Sequence, residues 1–160
     1  MRYKAVPKSS NAPVEVATTT SMKTVLQVAT PSTTDIRIVA WGVSFDGVVP
    51  TDPPGQVYLV DVDVAATVTS QTPELWGSGF LQASLCVGGT SATGYNASAE
   101  GTIGASRMLD EQEVHPQQGY SIWWPSDARP PLRVSRFLRI RTLFSVSVNC
   151  IPWIIWDEPA

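Results

Sequence analysis

Two cysteines, a single histidine and only 16% charged residues leave this chain of 160 residues short of most catalytic chemistry. Two cysteines allow one bridge at most, so a disulfide-stapled scaffold is excluded. Cys86 and Cys150 both sit in apolar, strand-like segments, where a free thiol behaves as a small buried hydrophobe. Two thiols and one imidazole do not make a tetrahedral zinc site, and neither a metal nor a cofactor is expected. A Ser-His-Asp triad would need His115, yet no Gly-x-Ser-x-Gly elbow carries a nucleophile, and P-loop and zinc-protease patterns are missing. The 11 Lys and Arg against 14 Asp and Glu leave a net charge of -3, which argues against a nucleic-acid partner. No uninterrupted apolar run reaches the length of a membrane span, and the first twenty residues lack the apolar core of a secretion signal. The expectation is a protein made in the cytoplasm that stays there until cell lysis.

What is abundant points to sheets. Charged residues fall well below the roughly 25% of an average domain, and the β-branched residues and turn formers that replace them favour strands. The last quarter is the clearest case. From Phe137, the residues Leu138, Ile140, Thr142, Phe144, Val146 and Val148 share one parity, while Arg139, Arg141, Ser145 and Ser147 share the other. Ile151 to Trp156 is apolar on both parities apart from Pro152, which fits a strand covered on both faces or one lying in a subunit contact. Further strands are expected over Lys23 to Ala29, Ile36 to Asp46, Gln56 to Thr69 and Phe80 to Val87, with weaker ones over Thr102 to Leu109 and Gln118 to Trp124. A parity change near Val39 points to a bulge there or to burial on both faces. In the Gln56 to Thr69 segment, Tyr58, Val60, Val62, Val64, Ala66 and Val68 are expected to face the core, with Asp61, Asp63, Thr67 and Thr69 on the wet side. Asp110 to Pro116 reads as a loop that could hold one helical turn.

The fold class that follows is all-β: a two-sheet β-sandwich of jelly-roll or Greek-key type with about eight strands. Residues 22–160 are read as one domain. Residues 1–21, rich in Ser, Thr, Pro and Lys, are read as an extended or flexible arm.

Few residues suggest a site. Asp61 and Asp63, two apart on one strand, are a minimal carboxylate pair for a hard cation or for glycoside hydrolysis, though the polar side of a strand is the better explanation of them. Trp41, Trp153 and Trp156 lie in strand patterns and read as core or interface. Trp123 and Trp124 precede the loop Pro125 to Pro131; adjacent strand residues face opposite ways, so at most one belongs to the core, and the other is free to anchor a protein contact or stack on a sugar. The candidate subunit or shell contacts are therefore Trp123, Trp124, Trp153 and Trp156, the strand arginines Arg139 and Arg141, and Arg2, Lys4 and Lys8 of the arm. Trp153 or Trp156 is expected to be buried between chains.

The segments Lys23-Thr-Val-Leu-Gln-Val-Ala-Thr-Pro-Ser, Trp41-Gly-Val-Ser-Phe-Asp-Gly, Thr93-Gly-Tyr-Asn-Ala-Ser-Ala-Glu-Gly-Thr and Phe137-Leu-Arg-Ile-Arg, with the closing Trp156-Asp-Glu, carry a resemblance. In order and spacing they resemble small virion proteins of tailed bacteriophages of actinobacteria, which are similar to capsid decoration, or cement, proteins. The resemblance spans Met22 to Glu158 and includes no catalytic signature. It implies a β-sandwich that forms small homo-oligomers, often trimers, on the outer surface of the head, with the major capsid protein shell as partner. The other reading, which uses Trp123, Trp124 and the Asp61/Asp63 face, is a carbohydrate-binding or host-recognition module of a tail or head fibre.

Overall fold

A segment with one apolar face has to cover it, and in a chain of such segments the economical solution is two sheets placed face to face. The computed structural model describes residues 1–77 and 81–159. Among them are fifteen strands and no helix, so no helix is long and apolar enough to cross a membrane. In chain order the strands are β1 (Arg2–Ala5), β2 (Lys8–Ser9), β3 (Ala12–Pro13), β4 (Val16–Ala17), β5 (Lys23–Ala29), β6 (Ile36–Phe45), β7 (Gly55–Val62), β8 (Thr67–Ser70), β9 (Glu74–Leu75), β10 (Gly94–Ala99), β11 (Ser106–Val114), β12 (Gly119–Trp123), β13 (Pro131–Leu132), β14 (Phe137–Leu143) and β15 (Asn149–Asp157). One sheet runs β12-β6-β15-β1-β9, with β13 also on β6 and β4 also on β15; the other runs β11-β7-β14-β5-β10-β8. All of these ladders are antiparallel, and most neighbours are distant in sequence, as a Greek-key or jelly-roll sandwich requires. A small hairpin, β2-β3, stands apart.

The core lies between the sheets. Trp41, Trp156, Tyr3 and Phe144 are its largest members, packed with Leu26, Leu59, Leu138 and Ile140. The alternation of β14 is observed as expected for Leu138, Ile140, Thr142 and Phe144, all buried, whereas Val146 lies exposed beyond the strand. The expected bulge is also present: β6 and β15 slip register between Ile155 and Trp156, so that Val39 is the extra residue between Ala40 and Ile38. Both cysteines are free and buried. Burial pushes both thiols up, Cys150 to about 12, and Glu158 adds to the rise at Cys86. The thiolate is the reactive form, so neither cysteine is expected to react with a chromogenic disulfide reagent in the native protein, and both should do so once denaturant is added. Rapid labelling of one thiol under native conditions would contradict the burial.

Four expectations are corrected. The largest concerns the N-terminal segment, which is no arm. Arg2–Ala5 pairs with β15 on one side and β9 on the other, and Tyr3 and Ala5 are fully buried; Val16 and Thr18 are buried too. Four alternating residues are simply too few for period two to stand out among Ser, Thr and Pro. Second, Gln56 to Thr69 is two strands, and the core-facing parity is Val57 and Leu59; Val60 and Val62 are buried on the other face of the sheet. Third, Asp110 to Val114 continues β11 with no helical turn, and β10 was not foreseen. Fourth, residues 81–87 form a loop tied to the fold by the bridge Gly88↔Thr93, while Phe80, the start of the strand expected there, lies outside the described residues.

Candidate functional site

Of the carboxylates, Asp61 is taken up in ion pairs and Asp63 stays open to solvent. Asp61 is buried between two arginines, its Oδ1 2.7 Å from Arg136 Nε and its Oδ2 3.4 Å from Arg107. Asp63 is exposed and accepts the Gly104 amide at 3.1 Å; backbone hydrogen bonds, that from Ala105 first, hold its carboxyl below the usual range. His115 spends both ring nitrogens on backbone, Nε2 at 3.1 Å from Pro50 O and Nδ1 accepting the Gln117 amide at 3.1 Å. No group of three His, Cys, Asp or Glu is placed to hold a metal among the described residues.

The interface candidates separate cleanly by face. Trp156 is fully buried in the core, where its indole donates to Glu158 Oε1 at 3.0 Å, so it cannot be a contact between chains. Trp124 turns inward and packs against the core. Arg139, expected as a subunit or shell contact, is fully buried within the chain: it lies against the outer side of the six-stranded sheet and donates to the carbonyl oxygens of Glu100 (3.0 Å) and Val64. Burial pulls its guanidinium below its usual range, and Glu100 pulls the other way. Arg141 belongs to the same cluster, paired with Glu100 Oε1 at 3.0 Å and donating to Tyr58 at 3.2 Å. Glu100 Oε1 also accepts from the amide and hydroxyl of Thr24.

Trp123, Trp153 and Lys4 lie together on the outer face of the seven-stranded sheet. Register explains why. One rung runs Trp123, Ala40, Ile155, Lys4, Glu74 across β12, β6, β15, β1 and β9, and the neighbouring rung sets Ser121, Gly42 and Trp153 side by side. Trp153 lies over Gly42: a Cβ there would stand 2.6 Å from the indole. Only glycine lets the ring lie flat across the neighbouring strand, and there it meets Trp123 with centroids 6.0 Å apart. The strip continues through Lys4, whose ammonium sits 5.6 Å from the Trp153 ring and 4.8 Å from Trp76. Trp76 and Trp123 are 43% and 53% exposed, unusual for residues that normally hide.

The strip is framed by cations. Asp157, on the next rung opposite Arg37 and Arg2, accepts from Arg2 at 2.7 Å and from Arg129 at 2.7 Å. Lys8 reaches Glu74. Arg2, Lys4, Lys8, Arg37 and Arg129 thus gather around Glu74 and Asp157, with Asp35 beside Arg37, which leaves a positive face on a chain whose net charge is -3. Sequence reasoning named Trp123, Trp153, Arg2, Lys4 and Lys8 and missed Arg37, Arg129 and Trp76; Trp76 stands alone after two strand residues in an irregular stretch, and its only signal was its being a sixth tryptophan. Chemically the strip is an aromatic surface of tilted rings with a cation between them, suited to binding. No protein-family model, curated protein or solved structure matches the chain.

Proposed function

We propose that this is a non-enzymatic structural protein of a tailed-phage virion, a cement protein that docks on the outside of the capsid shell as a homotrimer and stabilises it. The observation that carries the reading is the exposed Trp76-Lys4-Trp153-Trp123 strip within a cationic frame. Tryptophan and arginine dominate the hot spots of protein interfaces, and a positive frame selects an acidic partner surface. The resemblance of the strand segments to decoration proteins supplies the class of that partner. A protein that binds only the assembled shell stabilises it by mass action.

The test adds purified protein to heads lacking it and measures co-sedimentation. Trp123→Ala and Trp153→Ala should each weaken binding about thirtyfold, the scale of losing one hot-spot side chain. Decorated heads should also retain DNA to higher temperature than bare ones. Unchanged binding in both variants, or heads equally robust without the protein, would sink the proposal. Light scattering after size exclusion is expected to give three times the chain mass of 17.3 kDa, and a monomer would remove the trimer. The carbohydrate reading uses the same rings; tryptophan quenching by polysaccharide, lost in Trp123→Ala, with no binding to heads, would replace the shell by a glycan.

A further inference from the structure

A second surface, at the end of the sandwich where β13 meets β14, owes nothing to the strip. Arg107, Arg133 and Arg136 line a cleft of about 630 Å³ together with Asp35, Asp61 and Pro131. The cleft is held rigid by hydrogen bonds to its loop. Thr30 Oγ1 donates to Arg133 O at 2.8 Å and accepts the Arg136 amide at 2.7 Å; the Ser135 amide donates to Pro31 O and the Val134 amide to Asp35 Oδ1. On the floor, the buried Asp61 orients Arg136 through Nε, which leaves the four terminal N–H groups of that guanidinium without an acceptor among the described residues. Arg107 spends one nitrogen on Pro131 O at 2.7 Å and on Asp61. The guanidinium of Arg133 makes no ion pair or hydrogen bond among the described residues, and its residue is exposed. Three arginines face two aspartates, so the cleft keeps a net positive charge.

A pinned loop that aims unspent guanidinium donors into one cleft is preorganised for an oxyanion, because planar N–H pairs match its geometry and little ordering remains to be done on binding. We infer that this cleft is an oxyanion-binding site in which Arg133 and Arg136 grip the ligand and Arg107 closes it. Phosphate and a side-chain carboxylate of a neighbouring protein share that chemistry. The inference is independent of the virion reading.

The test is a ¹⁵N-resolved NMR titration of the full chain at constant ionic strength, with inorganic phosphate in one arm, an aspartate-rich hexapeptide in a second and chloride as control. Saturable shifts of Arg136 Nε–H and the amides of residues 133–137 are expected in at least one arm, and the responding arm identifies the source. Arg133→Ala should weaken that response about tenfold, the scale of one charge-assisted contact. Since the loop is pinned through the Arg133 carbonyl and the side chain has no partner among the described residues, the variant should melt like the wild type and so report on binding alone. Linear shifts equal to those from chloride, or saturation unaltered by Arg133→Ala, would overturn the site.

Discussion

Alanine at Tyr3 is expected to destabilise the protein by about 3–5 kcal/mol, the cost of emptying a large aromatic site in a packed core. The ring is 1% exposed and lies 6.4 Å from that of Trp156, and its hydroxyl donates to Gln82 O at 3.1 Å. For a chain of this size each kcal/mol shifts the melting midpoint by about 2–4 °C, so the drop should be on the order of 10 °C. Lys4→Ala, one residue along and on the outer face, is the control: it should change stability by less than about 1 kcal/mol, the value of an exposed cation-π contact. A segment lying outside the fold would make both substitutions neutral. Equal, small effects would therefore return residues 1–21 to the status of an arm.

The second large effect is expected at Glu100. Its carboxylate is paired with Arg141, its backbone carbonyl accepts from the fully buried Arg139, and its charge favours the charged form of that guanidinium. Removing one partner of a buried ionic group leaves the remaining charge uncompensated, at about 3–5 kcal/mol. Glu100→Gln keeps the shape and deletes the charge, so its loss of stability in chemical denaturation isolates the electrostatic part. The Arg139→Met, Glu100→Gln double variant should recover much of that loss, since an apolar side chain no longer needs the carboxylate. A double variant whose loss equals the sum of the two single losses would show that the two residues do not act as a unit.

How much of this was legible in the sequence depended on the length of each pattern. Leu138, Ile140, Thr142 and Phe144 announced their face because seven strand residues repeat one period, and Val39 announced its bulge by breaking one. Tyr3 could not, since β1 offers only two inward residues. The parity of β7 was misread because Tyr58, Val60 and Val62 are as apolar as the core face; Val60 and Val62 are covered by further chain on the outer side, a tertiary effect that no local period encodes. The same covering explains Arg139, whose alternation with Leu138 and Ile140 correctly gave its face and wrongly implied water. Of the strip, Trp123 and Trp153 were nameable as candidates from their neighbours. Their meeting was not, because it depends on β12, β6 and β15 lying side by side and on Gly42 leaving room between them.

The pairing of β1 with β15 joins residues 155 positions apart, Arg2 to Asp157, and a hydrogen bond from the Met1 amine to Glu158 O continues it. Closing so long a loop is costly in entropy only logarithmically, yet it sits late on any folding route, so refolding on the millisecond-to-second scale of non-local β topologies follows. The same proximity makes the molecule almost a ring. A short peptide linking the two ends, with new ends opened in the exposed turn at Thr51, should give a circular permutant with the same sheets and a shallower folding barrier.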